Sequence, residues 1–230
     1  MLMCEQLVLA QESFSLTADF AFRERAITGV IGPSGVGKST FLSAIAGFFA
    51  PASGRILWQG NDMVSLPPAK RPVSILFQDN NLFPHLTVTQ NVGLGLSPTL
   101  RLSDGDRSRV DTVLKQVGLG RLGDRKPAAL SGGQQSRAAL ARVLLADRPV
   151  VLLDEPFSAL GPGLKDEMLD LVGAMLAENG RTVIMVTHDP NDAKRIADEV
   201  VLVAEGVAHS PVPTHEIFEN PPQALRAYLG

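Results

Sequence analysis

The sequence predicts an α/β fold, and three observations carry that prediction. A glycine-rich stretch, Gly32-Pro33-Ser34-Gly35-Val36-Gly37-Lys38-Ser39-Thr40, lies between an apolar run of strand character (Ala26 to Ile31) and a segment of helical pattern (Thr40 to Phe49). Two further apolar runs, Val150 to Leu153 and Thr182 to Val186, have the short, continuous hydrophobicity of strands buried on both faces of a parallel sheet. Leu7 to Phe22 alternates instead, with Leu7 and Leu9 followed by Phe14, Leu16, Ala18, Phe20 and Phe22. That period belongs to half-buried antiparallel strands, so an N-terminal β-layer is expected.

The order strand, loop, helix is what phosphate binding requires. Glycines let the backbone turn its N–H groups inward, and the helix N-terminus adds partial positive charge toward an anion. In this pattern Lys38 would reach the β- and γ-phosphates of ATP or GTP. Ser39 would place its hydroxyl on a Mg²⁺ shared with phosphate oxygens, since a hard cation takes oxygen ligands.

The remaining elements follow in order. Ile56 to Gln59 reads as a strand ending in the turn Gly60-Asn61-Asp62, and Pro67, Pro68 and Pro72 bracket a loop before the strand Val73 to Phe77. Arg107 to Val117 is helical in pattern. Ser131 and Gln134 fit a capping box ahead of a helix whose apolar face is Ala138, Leu140, Val143 and Leu144, with Pro149 marking its end. Lys165 to Glu178 is a helix closed by Asn179-Gly180. Asp189 to Ile196 reads as the next helix, Val200 to Val203 as a last strand, and Thr214 to Tyr228 as a helical tail.

Composition narrows the function. At 230 residues and 45% hydrophobic, the chain suits one domain spanning 1–230. A net charge of −3 and a pI near 5.8 argue against a broad nucleic-acid surface, and no nucleic-acid partner is expected. Cys4 is the sole cysteine, which suits a reducing, cytoplasmic setting and leaves no disulfide framework. Met1 to Ala10 carries Glu5 and no basic region, unlike a secretory signal. The longest apolar runs fall short of the ~20 residues that span a bilayer. Membrane attachment is therefore expected through a partner.

Val150-Val151-Leu152-Leu153-Asp154-Glu155 places two carboxylates at the C-terminal tip of a buried strand, where open α/β sheets hold ligands. Asp154 would hold Mg²⁺, through water, and Glu155 would polarise the water that attacks the γ-phosphate. In Leu130-Ser131-Gly132-Gly133-Gln134 the capping box accounts for Ser131 and Gln134. Two glycines in a first helical turn cost roughly 1 kcal/mol each, and they are expected to let the backbone approach an anion.

With the phosphate loop, Leu130 to Gln134, Asp154-Glu155 and His188 in this order, the chain resembles the ATP-binding subunits of ABC transporters over nearly its whole length. The resemblance implies a P-loop NTPase core of ABC type, with an N-terminal antiparallel β-subdomain and a helical signature subdomain over roughly 79–147. It implies an active head-to-tail dimer with two ATP molecules at its interface, in which Ser131, Gly132, Gly133 and Gln134 serve the nucleotide of the second copy. Gln78 matches the family's glutamine that touches Mg²⁺ and water, and His188 the switch histidine at the γ-phosphate. Lys38, Glu155, Gln78 and His188 are then the candidate catalytic residues, and Ser39, Gln78 and Asp154 the candidate metal ligands. Phe14 is the candidate for stacking on adenine or, equally, a core residue.

Two places depart from the family pattern. Gly161 follows Ser158-Ala159-Leu160 where aspartate is usual, and Gln135-Ser136 stands in place of the common Arg-Gln. Arg71 to Ser74, Leu76 to Val88, Ala46 to Phe48 and Asn91 to Leu96 look most like the ATPases of bacterial thiamine importers. This likeness implies import of thiamine and its phosphate esters, integral membrane permease subunits, a periplasmic solute-binding protein, and a peripheral position on the cytoplasmic face of the bacterial inner membrane. The same residues would serve another ABC importer, for an ion or small solute, or an exporter or lipid-extraction complex. Leu82, Phe83 and Leu86 either form the cleft that receives a permease helix or pack inside their own subdomain.

Overall fold

The computed structural model describes residues 1–178 and 180–229, so the helix stop expected at Asn179 lies outside the described residues. In chain order these form β1 (Leu2–Gln11), β2 (Phe14–Ala21), β3 (Ile27–Ile31), α1 (Lys38–Ala46), β4 (Ser53–Trp58), β5 (Asn61–Asp62), β6 (Val73–Leu76), α2 (Val88–Gly93), α3 (Asp104–Gln116), α4 (Gly132–Leu145), β7 (Val150–Asp154), α5 (Pro162–Glu178), β8 (Thr182–Val186), α6 (Pro190–Ile196), β9 (Glu199–Ala204), β10 (Val207–Ala208), β11 (Val212–Pro213), α7 (Thr214–Glu219) and α8 (Gln223–Leu229).

The strands join in the order β5-β4-β1-β2-β10-β9-β3-β8-β7-β6, with β11 beside β9. One part is parallel: β3 lies between β9 and β8, and β7 and β6 follow outward. The other is the antiparallel layer of β1 with β2 and β4. Strand β1 shows how its sequence meets this geometry. Leu2, Cys4, Leu7 and Leu9 are all buried although Cys4 and Leu7 are an odd number of residues apart. A register shift between them, with Gln6 at φ 45°, absorbs the extra residue and keeps all four on one face.

Strands β3, β7 and β8 are buried except at Asp154, the tip of β7, and mostly apolar, because helices cover both faces. Val150, Leu152, Ile184 and Val186 pack with Phe41, Leu42 and Ile45 of α1, whereas Val151, Leu153, Val183 and Met185 pack with Met168, Leu169 and Val172 of α5. The same second cluster continues through Val92, Val110, Leu114 and Leu140, so α2, α3 and α4 share a core with the sheet.

Several elements start earlier than expected, β1 at Leu2, β4 at Ser53, α3 at Asp104 and α5 at Pro162, and other differences have local causes. The C-terminal tail is two helices, α7 and α8, because Pro221 and Pro222 interrupt it. Helix α2 has no long apolar stripe to announce it, yet Thr87 and Gln90 close a capping box at its start. Helix α1 begins at Lys38, so Lys38 and Ser39 belong to its first turn.

Candidate functional site

Pairing register brings the candidate residues together. Leu76, Leu153 and Met185 are aligned across β6, β7 and β8, and Met185 is aligned with Gly29 of β3. Gln78, Asp154, Glu155, His188 and the loop from Gly32 therefore all emerge at the C-terminal edge of four adjacent parallel strands. Ligands of open α/β sheets lie at that edge.

The loop is shaped by its contacts. Gly37 sits at φ 99°, and a Cβ there would lie 2.4 Å from the Phe14 ring. Phe14 is thus packed against the loop and half-buried on the α1 side of the sheet. Lys38 is 5% exposed, and its Nζ donates to the carbonyls of Gly32 at 2.8 Å and Pro33 at 2.9 Å. Burial pulls its pKa below the ordinary lysine value, while Glu155 and Asp154 oppose that shift. Pro33, Ser34 and Gly35 are exposed, with Val36 and Thr40 half-buried.

Opposite the loop, the Ser39 hydroxyl donates to Asp154 Oδ1 at 2.8 Å. Burial raises the Asp154 pKa; the Ser39 bond and Lys38 oppose this, and Glu155 reinforces it. The two oxygens suit a small hard dication, which takes its remaining ligands from water and phosphate. Among the described residues no cluster of three His, Cys, Asp or Glu side chains forms a closed metal cage.

Glu155 stands at φ 45°, a left-handed conformation that costs a glutamate of order 1–3 kcal/mol. Its N–H donates to Val186 O at 3.0 Å, which fixes the turn. Its Oε2 lies 3.0 Å from His188 Nδ1. Glu155 and His188 are therefore in contact. Gln78 is exposed two residues beyond β6.

Ser131 and Gln134 make the expected capping box, Gln134 N donating to Ser131 Oγ at 3.3 Å and Ser131 N to Gln134 Oε1 at 3.1 Å. The two glycines differ in kind. Gly132 is exposed with open space around it, whereas a Cβ on Gly133 would meet Leu164 Cδ2 at 2.2 Å. Close packing of α4 on α5 is thus a structural reason for Gly133 that stands beside the expected approach to an anion. Gly161 likewise has open space where a Cβ would be.

Sequence reasoning missed two buried residues that tie loops to helices, Arg71 at the opposite edge of the sheet and Asn91 on the site side. Arg71, 2% exposed, donates from Nη1 to Ala44 O and Ile45 O, from Nε to Leu66 O and from Nη2 to Val64 O. Asn91, fully buried, accepts from Phe83 N and donates to the carbonyls of Phe83, Leu86 and Thr87, which holds the loop ahead of α2. The run of apolar residues around position 82 divides: Leu82 packs against the core, while Phe83 is 47% exposed. Phe48 is 59% exposed and its ring lies 5.7 Å from that of Phe77.

A glycine-rich loop feeding a helix at the edge of a parallel sheet, faced by strand-end carboxylates, defines a nucleotide-binding protein. Residues 17–158 match the ABC transporter family, and the chain belongs to that family. It is 60% identical over its full length, and that of the relative, to the thiamine import ATP-binding protein ThiQ of Cereibacter sphaeroides, and 56% identical, again over both full lengths, to the protein of that name from a Ruegeria species. Among solved structures it is similar to the dimeric ATP-binding cassette MJ0796 bound to ADP and phosphate, with a TM-score of 0.80 at 29% identity over 93% of this chain and 99% of the other. CbiO1 of Clostridium perfringens, part of an ABC transporter complex, has a TM-score of 0.83 at 31% identity over 95% and 90% of the two chains.

Proposed function

We propose that this chain is the ATP-hydrolysing subunit of an importer for thiamine and its phosphate esters, working as a pair of copies on membrane permease subunits fed by a periplasmic binding protein. The observation that carries the chemistry is the set of Lys38, Ser39, Asp154, Glu155 and His188 at one sheet edge. Full-length identity of 60% to a thiamine import ATP-binding protein supports the cargo.

Lys38 exchanges the Gly32 and Pro33 carbonyls for the β- and γ-phosphates of ATP. Ser39 and Asp154, with Gln78, would hold Mg²⁺, which neutralises phosphate charge. Glu155 turns from His188 to accept a hydrogen bond from the attacking water, whose oxygen bonds to the γ-phosphorus as the bridging bond to ADP breaks. His188 then faces the γ-phosphate. Ser131, Gly132, Gly133 and Gln134 act on the nucleotide of the second copy, at the open N-terminus of α4. No helix of the described residues is long and apolar enough to cross a membrane. In this reading the chain sits peripherally on the cytoplasmic face, and Phe83 together with Phe77, beside Gln78 in sequence, and Phe48, packed on Phe77, meets the permease.

The test is thiamine uptake in cells lacking this chain, complemented with wild type or Glu155→Gln. Rescue by wild type alone is expected. Normal uptake without the chain, in cells with no other thiamine importer, would overturn the cargo and leave ATP hydrolysis to be judged on the purified transporter.

A further inference from the structure

His188 depends for its position on the backbone of residues 187–189, since its ring is half exposed and meets Glu155, itself expected to move, at 3.0 Å. That backbone is held from several directions. Thr187 N donates to Val30 O at 3.2 Å, and Thr187 Oγ1 to Asp192 Oδ2 at 2.6 Å. Lys165 Nζ, from α5, bridges Asp189 Oδ2 at 2.7 Å and Asp192 Oδ1 at 2.6 Å. These bonds fix the residues on either side of His188. The carbonyl of His188 itself accepts a hydrogen bond from the hydroxyl of Tyr228, 40 residues further along the chain.

Tyr228 is delivered by a seated element. It lies on α8, whose Leu225 is fully buried among Ile31, Ala193, Val200, Leu202 and Ile217, and Tyr228 packs against the same cluster. Burial, with Asp189, Glu155 and Asp192 nearby, raises the phenol pKa above its ordinary value, so the group remains a donor. The carbonyl it meets is at the exposed end of β8, where water is an alternative partner. The bond therefore adds little to the stability of the fold and much to the direction of one peptide plane.

We propose that Tyr228 is a positioning residue for ATP hydrolysis: its hydroxyl, carried by the last helix, orients the His188 backbone and so sets where His188 stands relative to Glu155 and the γ-phosphate. This rests on the reading of His188 and Glu155 given under the proposed function. A placement error of about 1 Å at reacting groups costs up to about 100-fold in rate. Loss of one of several restraints on the loop is expected to cost less.

Tyr228→Phe keeps the ring and removes the hydroxyl. In the assembled transporter it is expected to lower kcat for ATP hydrolysis about 5- to 10-fold, with KM for ATP and the melting temperature unchanged. In a His188→Ala background the same substitution is expected to change single-turnover hydrolysis by less than about twofold, because the residue it acts through is gone. A wild-type kcat for Tyr228→Phe would overturn the proposal, as would an equal loss in both backgrounds or a loss confined to KM and melting temperature. Full activity of His188→Ala would overturn the underlying site reading, and this proposal with it.

Discussion

Ser39 and Asp154 lie 115 residues apart in the chain, yet the hydroxyl of one donates to the carboxylate of the other at 2.8 Å. The bond joins the first turn of α1 to the tip of β7, the two elements that must face one another for a nucleotide-bound dication to be shared.

That carboxylate works against the stability of the nucleotide-free chain. Burial raises the folded-state pKa of Asp154 above its unfolded value of 3.8, despite the Ser39 bond and Lys38. The folded state then binds the proton more readily than the unfolded state, so stability falls as pH rises through the window above 3.8. Asp154→Asn is expected to raise the nucleotide-free melting temperature at pH 7 by about 1–2 °C, and to lose the added stability that Mg-ATP gives the wild type. Thermal melts with and without Mg-ATP check both; a lowered melting temperature without nucleotide would contradict the electrostatic account.

Gly37 and Phe14 form a second coupled pair. At φ 99° an added Cβ is strained in the backbone and would lie 2.4 Å from the ring. Gly37→Ala is expected to cost about 2 kcal/mol or more and to abolish ATP binding. Phe14→Ala in that background is expected to recover about 1 kcal/mol of stability, a coupling that urea unfolding of the double-mutant cycle measures. ATP affinity should stay lost, since the backbone conformation remains wrong.

Arg71 provides the clearest case of structure hidden behind sequence. It follows a proline-rich loop and looks like a surface cation, yet it is buried and its guanidinium serves four carbonyls, two of them at the C-terminal end of α1. Positive charge there also opposes the helix dipole. Lysine cannot reproduce the planar fork. Arg71→Lys is therefore expected to lose about 2–4 kcal/mol, seen as a lower urea midpoint with an unchanged slope.

What was legible and what was not divides on chain distance. The phosphate loop, the acidic strand end and the capping box of α4 are read from adjacent residues, because each is built by local backbone geometry. The buried strands β3, β7 and β8 announce themselves because both faces are covered. By contrast, the Arg71 carbonyl cluster and the Tyr228 contact to His188 join segments 26 to 40 residues apart, and their side chains look ordinary in the sequence. The left-handed Glu155 was also invisible, since nothing about a glutamate signals φ 45°. The packing of Gly133 under Leu164 was hidden too, because a glycine near an anion site and a glycine under a leucine leave the same letter.

Phe48 separates folding from coupling. It lies just past the end of α1, 59% exposed, with its ring 5.7 Å from Phe77, the residue before Gln78. An exposed aromatic pair gives the isolated chain little stability but offers apolar area to a partner. Phe48→Asp is expected to move the melting temperature of the isolated chain by about 1 °C or less and to leave ATP binding unchanged. Co-purification with the permease should be lost, and uptake with it, because burying the new carboxylate against an apolar helix carries a large desolvation cost. Nucleotide titration of the isolated chain, beside affinity capture through a tagged permease, tests this directly. Full capture of the Phe48→Asp chain would move the permease contact elsewhere, while loss of nucleotide binding would place Phe48 in the fold of the site.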